Sequence, residues 1–156
     1  MVHALKYGGW TALAQPMADQ MARLPFPRDV LEERSMLVPV PLAPGRERER
    51  GFNQSQLLAD CLARAWSVPV VAALARGRST GTQTRLTPGE RLHNVAGAFA
   101  TVPDSEKLAG SHIVLVDDVV TTAATLNACA KALHEGGARI ISYITFGRAR
   151  AAGDIP

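Results

Sequence analysis

The apolar positions of the chain fall into strand-length runs and helix-spaced stripes. The clearest run is residues 113–116, four consecutive β-branched or leucine residues, which predicts a strand buried on both faces, as in a parallel sheet. Apolar residues then recur at helical spacing as far as Leu133, and Gly136 and Gly137 end this pattern. We therefore expect a buried strand, a short loop and a helix over residues 113–135.

The same patterns predict elements along the rest of the chain. We expect helices over residues 13–24 and from an N-cap at Asn53 to about Trp66, and strands over residues 36–40, 68–74, 94–100 and 138–146. Pro39 lacks a ladder donor, so its strand should lie at an edge or end early. The order of elements predicts an α/β fold, a largely parallel twisted sheet flanked by helices, with ligands at the carboxyl ends of the strands. We assign residues 1–156 to one domain, with an N-terminal hood (1–35), a core (36–147) and a loose tail (148–156).

Two adjacent carboxylates, Asp117 and Asp118, close the buried strand, and residues 121–125 after them are small or hydroxylated. A helix that begins after such a loop offers unpaired N–H groups and a positive dipole end, which together form an anion site. Carboxylates repel a bare phosphate but accept hydrogen bonds from a vicinal diol. The pattern therefore predicts a phosphorylated sugar. The alternative is an ordinary turn with an incidental acidic pair.

This stretch resembles the phosphoribosyl-pyrophosphate (PRPP) motif of type I phosphoribosyltransferases. The resemblance implies that Asp117 and Asp118 hold the ribose 2′- and 3′-hydroxyls. It also implies that the 5′-phosphate is bound by the loop of Thr121, Thr122, Ala123, Ala124 and Thr125. The usual glycine is replaced by Ala123, which costs about 1 kcal/mol or more if the position needs a positive φ.

The pyrophosphate of PRPP needs further positive charge. In the superfamily it is held by a loop after the first core strand, which corresponds here to residues 41–51. Arg50 is the first candidate ligand, with Arg46 and Arg48 behind it, although their alternation with glutamates equally fits a solvated loop or helix start. Lys6 is either a surface residue or a pyrophosphate ligand.

Magnesium is the expected cofactor, with PRPP as the substrate. It keeps most of its waters and binds through phosphate oxygens and one or two carboxylates, so its protein ligands would be Asp117 and Asp118. The long polar stretch 76–91 fits the flexible loop that closes over the ribose in this superfamily, and its Arg85 and Arg91 could neutralise departing charge. Such catalysis rests on positioning and charge stabilisation, without a covalent nucleophile.

Further short motifs occur in a defined order. They are Lys6-Tyr7-Gly8-Gly9, Val38-Pro39-Val40-Pro41, Arg50-Gly51-Phe52-Asn53-Gln54, and Thr82-Gln83-Thr84 with Arg91, Asn94 and Phe99. With the acidic motif they resemble the ComF family, bacterial competence proteins with GntX-type relatives, over roughly residues 4–147. The resemblance implies a role in competence and DNA uptake beside a helicase-like partner. Many members begin with a four-cysteine zinc module that this chain lacks, through a short form or a downstream start, so we expect no zinc.

Composition adds few constraints. The net charge of +3 over 156 residues suits an anionic small molecule and is too small to indicate nucleic acid by itself. Cys61 and Cys129 lie far apart on apolar helix faces, which predicts reduced core residues. The histidines show no metal-ligand spacing. No apolar run is long enough to span a membrane, so the expected location is cytoplasmic.

Two functions remain open. The first is a PRPP-dependent phosphoribosyltransferase that joins ribose 5-phosphate to an unknown acceptor and releases pyrophosphate, and the acidic pair, the threonine loop and the arginine-bearing lid favour it. The second is a non-catalytic module that binds PRPP or a nucleotide in competence and DNA uptake. Ala123 and the lack of a recognisable nucleobase pocket favour this module. Whether the protein is an enzyme, its oligomeric state and direct DNA contact all stay open.

The lid interpretation predicts that Arg85→Ala and Arg91→Ala lower turnover more than they lower PRPP affinity. The reason is that a group facing departing charge acts mainly in the transition state. Steady-state kcat together with PRPP affinity measured by titration tests this. Equal losses in both would mean that the arginines only bind.

Overall fold

The computed structural model describes residues 1–77, 97–103 and 108–149. Within these ranges the helices are α1 (Val2–Tyr7), α2 (Ala14–Ala22), α3 (Arg28–Glu33), α4 (Pro44–Arg50), α5 (Gln54–Trp66) and α6 (Ala124–Glu135), with a 3₁₀ turn over Thr11–Leu13. The strands are β1 (Met36–Pro39), β2 (Leu74–Arg76), β3 (Phe99–Thr101), β4 (His112–Val120) and β5 (Ile140–Arg148).

A three-stranded parallel sheet forms the centre, in the order β1-β4-β5. Leu37 pairs with Val114, and Val116 pairs with Ile144. Because β4 lies between two strands and under helices on both faces, its residues 113–116 are at most 1% exposed, as the continuous apolar run predicts. The predicted parallel α/β sheet is confirmed.

The first strand behaves as its proline requires. β1 occupies one end of the sheet order and stops at Pro39, which confirms the prediction. A single parallel bridge joins Leu37 to Val70 on its outer side. The predicted strand over residues 68–74 is wrong, since only that bridge and β2 form. Pro69 cannot donate a ladder bond, and β2 instead pairs antiparallel with β3 in a separate two-stranded sheet.

The core has two layers because side chains on β4 alternate between its faces. Val114 and Val116 pack with α1, α2 and α5, whose fully buried residues include Leu5, Met17, Met21, Leu58 and Leu62. Ile113 and Leu115 pack with α6 on the other face, through Leu126, Cys129 and Leu133. Cys61 and Cys129 are buried free cysteines, as predicted.

The start of α5 and the end of α6 lie at the capping residues that the sequence predicts. Asn53 caps α5, because its side chain accepts a hydrogen bond from Ser55 N at 3.0 Å, and it donates to Val40 O at 3.0 Å. Gly136 and Gly137 end α6 as predicted. β5 continues through Arg148, two residues beyond the predicted strand end at Phe146.

The N-terminal region is more helical than the sequence indicates. Lys6 lies inside α1, with Gly8 as its C-cap, and the sequence pattern predicts no helix there. α3 follows Pro27 directly and is likewise absent from the predicted helices. Helices this short carry little periodic signal and depend on tertiary packing. No helix of the described ranges is long and apolar enough to cross a bilayer.

Candidate functional site

The sequence pattern predicts that the acidic pair closes β4. The structure instead places both residues inside the strand. Asp117 pairs with Thr145, and the ladder with β5 continues to Val120. The apolar run ends before the strand does, because backbone pairing to β5 needs no apolar side chain there. Since adjacent residues of a strand face opposite sides, Asp118 lies in phase with Val116 and Asp117 with Leu115.

Asp117 is held by two hydrogen bonds to one oxygen. Its Oδ1 accepts from Ser55 Oγ at 2.8 Å and from Asp118 N at 2.9 Å. The pKa of Asp117 is raised from 3.8 to about 6, first by burial and then by the neighbouring charge of Asp118. The hydrogen bonds and the charge of Lys6 act in the opposite direction.

Asp118 has a charged partner from the far end of the chain. Its side chain is 3% exposed, and its Oδ2 lies 2.7 Å from Lys6 Nζ, whose side chain is 23% exposed. Leu5 is fully buried in the core and fixes α1 above the sheet. Lys6 is therefore not a free surface lysine, and its pairing with Asp118 was not expected from the sequence.

The loop after β4 has the geometry that the motif suggests. Ala123 has φ 56° and ψ 1°, and it is the N-cap of α6 without a side-chain cap hydrogen bond. The left-handed conformation explains why a glycine is usual here, and alanine adopts it at a cost. The first N–H groups of α6 lack intrahelical partners, so this loop can receive an oxyanion. Thr121 and Thr122 are exposed beside it.

A basic cavity of about 300 Å³ lies next to Lys6. Its lining residues are Lys6, Tyr7, Gly9, Arg46, Glu49, Arg50 and Phe52. The run 44–50 forms α4. Arg46 and Arg50 are four residues apart and share one helix face, whereas Arg48 is exposed and does not line the cavity.

The orientation of Arg50 is defined by two neighbours. Its guanidinium lies 5.3 Å from the ring centroid of Tyr7, and it donates a hydrogen bond to Gln54 Oε1. Tyr7, Glu49 and Ser55 are the site residues that sequence reasoning missed. Ser55 is 1% exposed and directly follows the first residue of α5, and no local pattern marks it as a partner of Asp117.

The remaining predicted residues divide between described and undescribed parts of the chain. Arg85 and Arg91 lie outside the described residues. In the described part no three His, Cys, Asp or Glu side chains cluster in a way that could hold a metal ion. His112 contacts Ser142 Oγ at 3.0 Å, and His134 contacts Ala138 O at 3.2 Å, so both have structural partners.

Comparisons with known proteins define the class. Residues 53–155 match the phosphoribosyl transferase domain. The fold is similar to glutamine PRPP amidotransferase of B. subtilis, with a TM-score of 0.58 and 19% identity over 85% of this chain and 26% of that chain. It is also similar to a Staphylococcus aureus hypoxanthine phosphoribosyltransferase, with a TM-score of 0.50 and 12% identity over 94% of this chain and 67% of that chain. The fold is thus that of a type I phosphoribosyltransferase.

Similar sequences narrow the class further. Competence protein F of Haemophilus influenzae is 35% identical over 74% of this chain and 50% of its own length. Competence protein ComFC of Bacillus subtilis is 38% identical over 68% and 41%, and DNA utilization protein YhgH of Salmonella typhimurium 34% over 90% and 63%. The chain belongs to the ComF family of the phosphoribosyltransferase superfamily. It spans about half the length of these relatives.

The strained loop predicts a stabilising substitution. Ala123→Gly should raise the free energy of unfolding by about 0.5–1 kcal/mol, because glycine adopts φ 56° without a Cβ penalty and part of that gain is lost to its freer unfolded chain. Ser67, with φ 54° at the end of α5, provides a matched comparison away from the loop, and Ser67→Gly should give a similar gain. Urea unfolding measures both, and an Ala123→Gly variant no more stable than the parent would contradict the strain.

The raised pKa of Asp117 predicts a pH dependence of stability. Between pH 3.8 and about 6 the folded state binds more protons at Asp117 than the unfolded state, so this contribution to stability falls as pH rises through that window. Asp117→Asn cannot ionise. Its free energy of unfolding relative to the parent should therefore increase from pH 4 to pH 7, by on the order of 2 kcal/mol.

The control for this pH dependence is Asp29→Asn, which removes an exposed carboxylate of α3. The difference in free energy of unfolding between this variant and the parent gives the effect of removing a carboxylate outside the site, and the profile of Asp117→Asn is compared with it. Parallel pH profiles for the parent and Asp117→Asn would contradict the raised pKa.

Proposed function

We propose that this chain binds PRPP at the carboxyl end of β4 and transfers ribose 5-phosphate to an acceptor, with release of pyrophosphate. One observation carries the proposal. The acidic pair lies between the uncapped start of α6 and a basic cavity, and Lys6 both contacts Asp118 and lines that cavity. PRPP carries a diol between two phosphorylated groups. The site has the matching arrangement, an acidic pair between backbone amides on one side and cationic side chains on the other.

The ribose and its 5′-phosphate fit the strand and loop. Asp117 and Asp118 would accept hydrogen bonds from the two hydroxyls, and the N–H groups of residues 121–125 would hold the phosphate. Burial and the hydrogen bond from Ser55 fix the position of Asp117 before ligand binds. A carboxylate that is already oriented loses little side-chain entropy on binding.

The pyrophosphate fits the basic cavity. Lys6, Arg46 and Arg50 place three cations around it, against one carboxylate from Glu49. Arg50 is already oriented by Tyr7 and Gln54, so the cavity needs little rearrangement. Such positioning and charge neutralisation would also stabilise the leaving group during transfer.

Magnesium fits this site chiefly as a partner of the substrate. Asp118 Oδ2 already contacts an ammonium group, and Asp117 Oδ1 accepts two hydrogen bonds. The remaining oxygen of Asp117, phosphate oxygens and waters form the donor set that Mg²⁺ prefers. When bound, the ion would neutralise pyrophosphate charge. Closure of a lid with Arg85 and Arg91 over the ribose remains part of the proposal.

A non-catalytic module is the second candidate. The ammonium of Lys6 neutralises Asp118, and Ala123 strains the phosphate loop, so both would weaken rather than strengthen a transferase site. Such a module would bind PRPP or a nucleotide in the cytoplasm and act in DNA uptake beside a helicase-like partner. The relatives' names, competence protein and DNA utilization protein, support this biological setting.

Binding of PRPP is common to both candidates and is tested first. Isothermal titration with PRPP and Mg²⁺ should show that Asp117→Asn with Asp118→Asn weakens binding by about 100-fold, since each change replaces a hydrogen bond to a charged group by a neutral one at a cost of about 1–1.5 kcal/mol. The control Asp19→Asn with Asp29→Asn removes two exposed carboxylates and should bind as the parent does. Retained affinity in the site variant would overturn the ribose assignment.

A screen for pyrophosphate release over nucleobases and amines separates the two candidates. Release with any acceptor supports the transferase. Tight PRPP binding without release from any acceptor supports the module.

A further inference from the structure

The contact between Lys6 and Asp118 engages a carboxylate that the proposed function assigns to the ribose. Nζ lies 2.7 Å from Oδ2, and Asp118 is almost fully buried at 3% exposure. A buried carboxylate without a partner is costly, so Lys6 stabilises Asp118 in the absence of ligand. A hydroxyl that donates to Asp118 takes over part of this stabilisation.

Lys6 is also able to serve the neighbouring cavity. Its side chain is 23% exposed and lines the cavity together with Arg46 and Arg50. A lysine carries three donors on a flexible stem, so its ammonium group can leave a carboxylate for a nearby anion without backbone movement. α1 stays in place during such a change because Leu5 is fully buried.

We infer that Lys6 is a shared counter-ion that moves from Asp118 to the pyrophosphate when the ribose hydroxyls engage Asp118. This inference rests on the proposed function. It assigns to Lys6 the coupling between the part of the site that binds the ribose and the part that binds pyrophosphate. Diol binding releases the ammonium group, and the released group strengthens pyrophosphate binding. A ligand that carries both groups gains from both steps, whereas inorganic pyrophosphate alone competes with Asp118 for Lys6.

The inference gives Asp118→Asn opposite effects on two ligands. Inorganic pyrophosphate should bind about ten-fold more tightly, because Lys6 is no longer held, whereas PRPP should bind about ten-fold more weakly, because its diol loses a charged acceptor. Isothermal titration of the full chain at fixed Mg²⁺ measures both. A general loss of negative charge cannot produce these opposite signs.

A double-mutant cycle tests whether Lys6 carries the gain. Lys6→Met should weaken inorganic pyrophosphate binding, and adding Asp118→Asn to Lys6→Met should change it less than two-fold. The double variant removes both charges, so it avoids the unpaired buried carboxylate that could unfold Lys6→Met. Lys131→Met, an exposed lysine of α6, is the control and should leave both affinities unchanged.

The outcomes separate this inference from the proposed function. If the parent does not bind PRPP, the proposed function fails, and the coupling fails with it. If the parent binds PRPP but Asp118→Asn does not tighten pyrophosphate, or tightens it equally without Lys6, only the shared counter-ion is overturned. Tightening that depends on Lys6 establishes it.

Discussion

The structure depends on the burial of a charged carboxylate in its central strand. The side chain of Asp118 is 3% exposed, at a depth where an unpaired charge costs several kcal/mol after relaxation. The partner that offsets this cost comes from α1, whose position is set by Leu5 in the core on the same face of the sheet. The N-terminal helix is therefore joined to the central strand by apolar packing and by charge together, and the conformation of the site depends on both.

The two carboxylates are adjacent in sequence but lie in different environments. Adjacent side chains of β4 face opposite sides of the sheet. Asp118 contacts Lys6 of α1, whereas one oxygen of Asp117 accepts hydrogen bonds from Ser55 at the start of α5 and from the backbone N–H of Asp118. Asp118 is compensated by a full opposite charge, whereas Asp117 has mainly hydrogen bonds and a raised pKa. One oxygen of Asp117 remains without these contacts, and this asymmetry gives the two acids different parts in any ligand contact.

Local sequence patterns correctly predict the elements that are determined by residues close together in the chain. The apolar run of β4, the N-cap at Asn53 and the glycines after α6 each act within a few residues, and each prediction is confirmed. The sequence-based predictions are wrong or incomplete where contacts between distant parts of the chain determine the structure. α1 and α3 are too short for a periodic signal, the pairing of β4 beyond Asp117 depends on β5, and Lys6 meets Asp118 from the opposite end of the chain. The sequence raises a positive φ at Ala123 only as a condition, through the glycine that is usual at that position in the motif, and the structure shows φ 56° there.

The choice of lysine at position 6 has a physical consequence for the site. An arginine there would present a rigid planar fork, which pairs with a carboxylate through two parallel hydrogen bonds and is held more firmly. A lysine makes a single compact contact and keeps two further donors, and its exposed fraction of 23% leaves it in reach of solvent and of the cavity. Arg50 of α4 shows the complementary arrangement, because it is oriented by Tyr7 and Gln54 rather than by an acid. Of these two cations that line the cavity, Arg50 is thus fixed and Lys6 is exchangeable, and Lys6 is the one that contacts the acidic pair.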